Sequence, residues 1–392
     1  MKSNLKLIGI NIFVTFFLLE FISSIFFQDK LQKIFPEYLN EPKTFGRGYP
    51  LGHFVADNLK GFDIKKNSNK VLSYLPPETP PYPVWGNNIG CFDYEINKNS
   101  KYDIYLAGDS HTWGYAPIEK KFGTLLEEQY KLNVAGCGVS HTGQKHQFQK
   151  FKEIIKSLGY IPKYVIVNRD FNDIDNDYFH PHSTIIDGYQ IDDIRLLVSE
   201  SSISFEKKKY QEMKEYLDFK VSQRSNYPLG RFDPRKYSSS AIILIDMLYK
   251  PLKNISYEKK PKCSVKNTGI YYSSNCFPQK VLEYDLDSEI IKPNKSAILE
   301  WIKHSKENNY KLIFSDANLS NFLLKVNGEE KFSRNFCNFI KNNGVECFEF
   351  RDYLKNNKID FKKTLWKKDG HYNFYGNKLY ANYLVEILKN YR

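Results

Sequence analysis

Tyr102-Asp103-Ile104-Tyr105-Leu106-Ala107-Gly108-Asp109-Ser110-His111-Thr112-Trp113-Gly114 passes from a short, mostly apolar run into a glycine-flanked turn that carries a serine. The run 102–107 reads as a buried strand. A serine on such a turn is held clear of the backbone with its hydroxyl directed away from the sheet, which is how an attacking serine is presented. Taken alone, Asp-Ser is equally ordinary turn chemistry. Three further segments bear on the choice, and their positions depend on how the rest of the chain is organised.

From residue 101 onward the pattern alternates. A helix is predicted around 118–130, a strand at 132–135, a helix over 144–158 and a buried strand at Tyr164-Val165-Ile166-Val167. The rhythm breaks between 177 and 294, where a polar loop leads to helical stretches near 205–223 and 239–252. It returns with a helix at 295–308, a strand at 311–315, a helix around 330–342, a strand at 346–350 and a final helix over 375–388. Strands alternating with helices predict an α/β fold, a parallel sheet with helices on both faces. Residues 177–294 then read as an insertion. Residues 29–100, with Pro76, Pro77, Pro80, Pro81 and Pro83 close together, read as an irregular lead-in that packs over the domain.

At 392 residues the chain can bury a sizeable core, and 29 Tyr with 29 Phe exclude a disordered class. The net charge of +12 is spread through nearly every segment, without an Arg-rich helix or zinc-finger spacing. A dispersed charge of this kind points to a solvated surface that favours anionic glycans or lipid headgroups and gives no sign of nucleic-acid binding. Met1–Lys6 is short and basic, and Leu7–Phe27 is almost continuously apolar over a length that can cross a bilayer as a helix. Residues 1–28 are therefore expected to form an uncleaved signal anchor, with a cleaved signal peptide as the second choice. Lys2 and Lys6 favour a cytoplasmic N-terminus, opposed by Lys30 and Lys33. Glu20 is a costly residue inside such a span. The remainder is expected outside the cytoplasm, periplasmic or at the cell surface. Of six cysteines, Cys263 and Cys276 are the first expected disulfide and Cys337 with Cys347 the second, while Cys91 and Cys137 are expected free and buried.

The second chemical segment is Asn133-Val134-Ala135-Gly136-Cys137-Gly138-Val139-Ser140, whose glycines let a backbone N–H approach a ligand closely. The third is Val165-Ile166-Val167-Asn168-Arg169-Asp170-Phe171-Asn172-Asp173, which puts polar groups just past a strand, where open parallel sheets bind ligands. The Asn172 amide could hold a developing oxyanion, or Asn172 could simply cap a loop. The fourth is Lys368-Asp369-Gly370-His371-Tyr372-Asn373, where an aspartate two residues before a histidine can orient its imidazole. His180-Pro181-His182 lacks a third nearby ligand, so no metal is expected. His111 and His141 are expected to line the cleft or cap turns.

In this order the four segments resemble the SGNH, or GDSL, hydrolase superfamily, whose blocks are named for Ser, Gly, Asn and His. The resemblance covers 101–176 and 295–392, the expected hydrolase domain. Gly108-Asp109-Ser110, with Thr112 and Gly114, matches the first block. Gly138 is the choice for the second, with Gly136 as the alternative. Asn172-Asp173 matches the third, although Asp170 stands where that block usually has glycine. His371, followed by Asn373 and Gly376, matches the last. A common form of that block has its aspartate three residues before the histidine, where this chain has Lys368, so Asp369 carries the role or the site is a Ser-His dyad.

The resemblance implies a flavodoxin-like three-layer α/β/α sandwich and acyl transfer through a serine ester. Ser110 would be the nucleophile, His371 the base and Asp369 its orienting acid. The backbone N–H groups of Ser110 and Gly138, with the Asn172 side chain, would form the oxyanion hole. No cofactor is implied. Together with the anchor, this leads to an expected membrane-anchored esterase that removes acyl groups, O-acetyl among them, from a glycan or lipid-linked glycan. The alternatives are an O-acyltransferase for an envelope polysaccharide and a non-catalytic accessory protein of polysaccharide assembly.

Overall fold

The structure, a computed structural model, describes residues 52–191 and 291–391 less 318–328 and scattered single positions, together with 13–23 and a few isolated residues. The chain divides into two compact units, one of Met1–Arg47 with Glu206–Asn267 and one of Gly48–Phe205 with Thr268–Arg392.

The second unit is built on five parallel strands: β1 Ile104–Gly108, β2 Val134–Gly138, β3 Tyr164–Arg169, β4 Lys311–Asp316 and β5 Glu346–Glu349. Their spatial order is β5-β4-β3-β1-β2. The chain therefore reverses its direction of travel across the sheet between β1 and β3, and in open α/β sheets the crevice beyond the strand ends at such a point is where ligands bind. These strands are apolar without strict alternation because both faces are covered. Tyr105, Val165, Val167 and Phe314 feed one core with Phe148, Phe151, Trp301 and Phe336. Those partners come from α2 (Gln144–Leu158), α4 (Lys292–Asn308) and α5 (Glu329–Asn342). Ile104, Leu106, Ile166 and Ile313 feed the opposite core with Leu126, Phe350, Tyr380 and Leu384. These side chains belong to α1 (Phe122–Tyr130), α6 (Phe350–Asn356) and α7 (Phe374–Lys389). A further short helix, α3 (Asp173–Tyr178), follows β3.

The expected α/β alternation is present, with local departures. The helix expected over 118–130 is broken, because extended Lys121 separates a turn at Ile118–Lys120 from α1. β5 stops at Glu349, and Phe350 and Leu354, four residues apart and both buried, start a short helix that the sequence reading missed.

Residues 52–96 contain two antiparallel hairpins, Phe54–Asp57 with Gly61–Ile64 and Val71–Ser73 with Tyr82–Val84. Their buried side chains Phe54, Phe62, Ile64 and Val84 form a third core with Trp113, Tyr115, Ile118 and Val139. Two further links fix this segment. Lys150 of α2 makes a buried 2.8 Å ion pair with Asp63, a contact whose loss would strand a charge in the interior. Cys91 is bonded to Cys137 of β2, so the expectation of two free thiols is corrected. The partners are 46 residues apart and meet only because residues 52–96 fold back over the sheet. Cys337 and Cys347 are also bonded, joining α5 to β5. Cys263 and Cys276 lie outside the described residues, as do nearly all of 205–223 and 239–252.

Among the described residues no helix is long and apolar enough to cross a membrane. The run Leu7–Phe27 falls partly outside them. Residues 13–23 are helical, with Phe13, Phe17 and Phe21 exposed. Glu20 within this helix accepts hydrogen bonds from the hydroxyls of Ser238 and Ser240, the latter at 2.6 Å.

Candidate active site

The serine stands at the C-terminal end of β1, beside the point where the strand order reverses. Gly108 closes the strand at φ +155°, and a Cβ there would lie 2.1 Å from the Thr112 hydroxyl. Asp109 then caps a single helical turn, Ser110–Trp113, by accepting the His111 N–H at 3.0 Å. Gly138 is paired with Gly108 across the β1–β2 ladder. A Cβ on Gly138 would sit 2.1 Å from the Trp113 backbone nitrogen. The serine turn is therefore pressed onto the end of β2, and only glycine leaves room for it.

The opposite wall is a short hairpin before α7. Leu365 bridges Tyr372 antiparallel. The Trp366 N–H donates to the His371 carbonyl at 2.8 Å, and the Trp366 indole N–H donates to the Tyr115 carbonyl at 3.2 Å. Asn373 caps α7 behind it by accepting the Gly376 N–H at 2.9 Å.

These two pieces bring Ser110, His371 and Asp369 together although Ser110 and His371 are 261 residues apart in the chain. His371 Nε2 lies 2.8 Å from Ser110 Oγ, and His371 Nδ1 is bonded to Asp369 Oδ1. With the carboxylate on Nδ1, that nitrogen carries the proton and Nε2 presents a lone pair to the serine. Burial works to raise the Asp369 carboxyl, but its hydrogen bond to His371 and the charge there outweigh it and hold the group below the usual carboxylate value. The Tyr115 ring stacks on the imidazole with centroids 3.8 Å apart and planes 16° apart, fixing its orientation. The Ser110 hydroxyl also reaches Asp109 Oδ2 at 3.1 Å. A hydroxyl, an imidazole and a carboxylate linked this way can move a proton off the hydroxyl oxygen as that oxygen attacks an electrophile.

No protein-family model and no curated protein matches the sequence. Among solved structures, the chain is similar to a protein from Desulfitobacterium hafniense DCB-2 assigned to the G-D-S-L family of lipolytic proteins. The match covers 73% of this chain and 99% of that one, at 12% sequence identity and a TM-score of 0.35.

The other singled-out residues occupy different places. Gly138 lies under the serine turn, as described. The N–H of Gly136, its alternative, is used by the buried Asp93 carboxylate at 2.7 Å. Asn172 follows β3 ahead of α3, half-buried, and its side-chain carbonyl oxygen has no hydrogen-bond partner among the described residues. Asn168, at the end of β3, accepts the Tyr380 hydroxyl at 2.9 Å. His111 does line the site: its ring centroid is 4.8 Å from that of His371. His141 is buried at φ +65°, in the left-handed region that a non-glycine residue rarely adopts. His180 is half-buried, and desolvation, then the charge of His146, lowers its pKa to about 3. His182 lies outside the described residues. Among the described residues no cluster of His, Cys, Asp and Glu could hold a metal.

Sequence reasoning missed Tyr115, Trp366 and His53. His53 accepts the Trp113 indole N–H at 3.1 Å and so braces the serine turn from the first hairpin. Only Tyr115 had a usable signal, since it follows the Gly114 that closes the serine block.

Proposed function

We propose that the chain is an SGNH-type serine esterase with a flavodoxin-like α/β/α domain, anchored in a membrane through its N-terminal segment and acting outside the cytoplasm. Its substrate is an acylated glycan or lipid-linked glycan. The observation that carries the reading is the 2.8 Å contact between His371 Nε2 and Ser110 Oγ, with Asp369 on the far nitrogen. The strand order supports the fold assignment, because 2-1-3-4-5 is the flavodoxin-like arrangement. The anchor and the exterior placement rest on Leu7–Phe27, and the choice of substrate rests on that placement.

In this mechanism Ser110 Oγ forms a bond to the acyl carbonyl carbon as its proton passes to His371 Nε2. The carbonyl oxygen becomes an oxyanion, which the Ser110 and Gly138 N–H groups and the Asn172 amide would hold. One such donor is worth about 3 kcal/mol in the transition state. The intermediate collapses, the alkoxide leaves with the proton from His371, and the acyl group stays on Ser110. Water, deprotonated by His371, then releases the carboxylic acid and restores the serine.

The test is hydrolysis of an aryl acetate by the purified full-length protein, with Ser110→Ala as control. Release that depends on Ser110 is the expected result, and release that is the same in Ser110→Ala would overturn the reading. Acylated sugar, detected by mass spectrometry when candidate acceptors are added, would move the assignment to the O-acyltransferase.

A further inference from the structure

A second acid–base pair lies against the imidazole and plays no part in the steps above. His111, the residue after Ser110, is 8% exposed and has its ring centroid 4.8 Å from that of His371 and 4.6 Å from that of Tyr372. Its Nε2 is 3.6 Å from Asp170 Oδ2, and its Nδ1 has no hydrogen-bond partner among the described residues. Asp170 reaches this place from the end of β3, where its backbone N–H is fixed by a 3.0 Å hydrogen bond to Asp173. The pair thus connects the turn after β3 to the imidazole through one ring, in a position that glycine would leave empty.

We propose that Asp170 is a positioning residue for His371, its carboxylate acting across the His111 ring to favour the imidazolium that forms as Ser110 is deprotonated. This inference rests on the esterase reading. The groups facing the pair are consistent with it. Asp109, Asp369 and His371 act on His111, while Asp109, Asp316, His371 and the Phe171 N–H act on Asp170. Burial and then the neighbouring His371 lower His111 to a pKa of about 4, so it is a neutral ring at working pH. Burial first, then the charge of Asp109, raises Asp170 to about 7, and the charge of His371 pulls it back. The last effect is reciprocal: a cationic His371 favours ionised Asp170, so ionised Asp170 favours cationic His371. Below pH 7 Asp170 is neutral and gives no such help. Above it, the new charge stabilises the proton-accepting transition state.

The experiment measures kcat/KM for an aryl acetate from pH 5 to 9 in the full-length protein and in Asp170→Asn, Asp170→Gly and His111→Gln. Every form is expected to gain activity as His371 becomes the neutral base, and the wild type to gain further through the Asp170 ionisation near pH 7, which both Asp170 variants lack. They should be about tenfold slower at pH 8.5 and within about twofold at pH 5.5, with KM unchanged. His111→Gln, which removes the ring between the two groups, is expected to reduce the same limb. Asp170 profiles superimposable on the wild type, or an equal loss at every pH, would overturn the inference. A second readout does not need turnover. The Asp170 carboxyl, followed by 13C NMR, is expected to titrate near 7 in the wild type and higher in His371→Gln, where the charge that pulls it back is gone. An unchanged midpoint there overturns the coupling even if the protein is an esterase, whereas turnover independent of Ser110 would instead remove the reading on which the inference rests.

Discussion

The serine and the histidine of the site are presented by two regions built in opposite ways. The turn Gly108–Gly114 is interior. Asp109, Ser110, Thr112 and Trp113 are all buried, backed by the end of β2 and braced by His53. The hairpin Leu365–Tyr372 is a rim structure, with the side chains of His371 21% and Asp369 13% exposed. A few hydrogen bonds, one stacked ring and the buried Tyr372, whose hydroxyl donates to the Ala317 carbonyl at 3.2 Å, hold it in place. Fixing the serine is thus part of folding the domain, whereas the histidine is positioned by contacts that can be removed one at a time. Changes behind the serine should cost stability, and changes around the histidine should cost rate.

The largest expected effect is on the histidine side. Asp369→Asn keeps the shape but favours the wrong tautomer of His371, and kcat for an aryl acetate should fall by about 10³–10⁴-fold with little change in the unfolding midpoint. A loss below tenfold would mean that the site works as a Ser-His dyad. On the serine side, Gly138→Ala places a methyl against the Trp113 backbone nitrogen, and nothing flexible can yield. Denaturant unfolding should show a loss of about 3 kcal/mol.

The next effect concerns pH. Burial, and after it the charge of Lys121, lowers His53 to about 3, so the folded state keeps this ring neutral while an unfolded chain protonates it near 6.5. Its contribution is therefore complete above pH 6.5 and is lost progressively as the pH falls toward 3. Between pH 7 and pH 5 the wild type should lose about 2 kcal/mol more than His53→Gln, read from unfolding at the two pH values. Equal losses would show that His53 does not brace the turn in its neutral form. The smallest effect returns to the rim. Trp366→Phe removes one hydrogen bond to Tyr115 and should cost about 1 kcal/mol in the transition state, seen as a several-fold drop in kcat.

The same division governs what could be read from the sequence. β1, β3 and the helices predicted over 144–158 and 295–308 are dictated by local apolar pattern and were visible as such. The Ser110 turn was visible because glycine and Asp-Ser chemistry are local signals. His371 and Asp369 could be picked out by spacing alone, two residues apart. The bracing contacts were not legible. Trp113 meets His53 across 60 residues, Cys91 meets Cys137 across 46, and the Phe122 N–H donates to the Asn377 side chain across 255. Such pairs are set by the packing of residues 52–96 and of α7 on the sheet, which no local pattern encodes. The hairpins within 52–96 were hidden for a related reason: their strands are three or four residues long, and the last of them carries Pro83 at its centre.

The central claim is that Ser110 is a nucleophile activated by His371, and covalent labelling tests it most directly. Incubation of the full-length protein with a fluorophosphonate, followed by peptide mass spectrometry, should give one adduct on Ser110. The adduct should be absent in Ser110→Ala and form at least a hundredfold more slowly in His371→Ala, about the contribution of a general base. A folded wild-type protein that leaves Ser110 unmodified, or that labels equally fast without His371, would contradict the account.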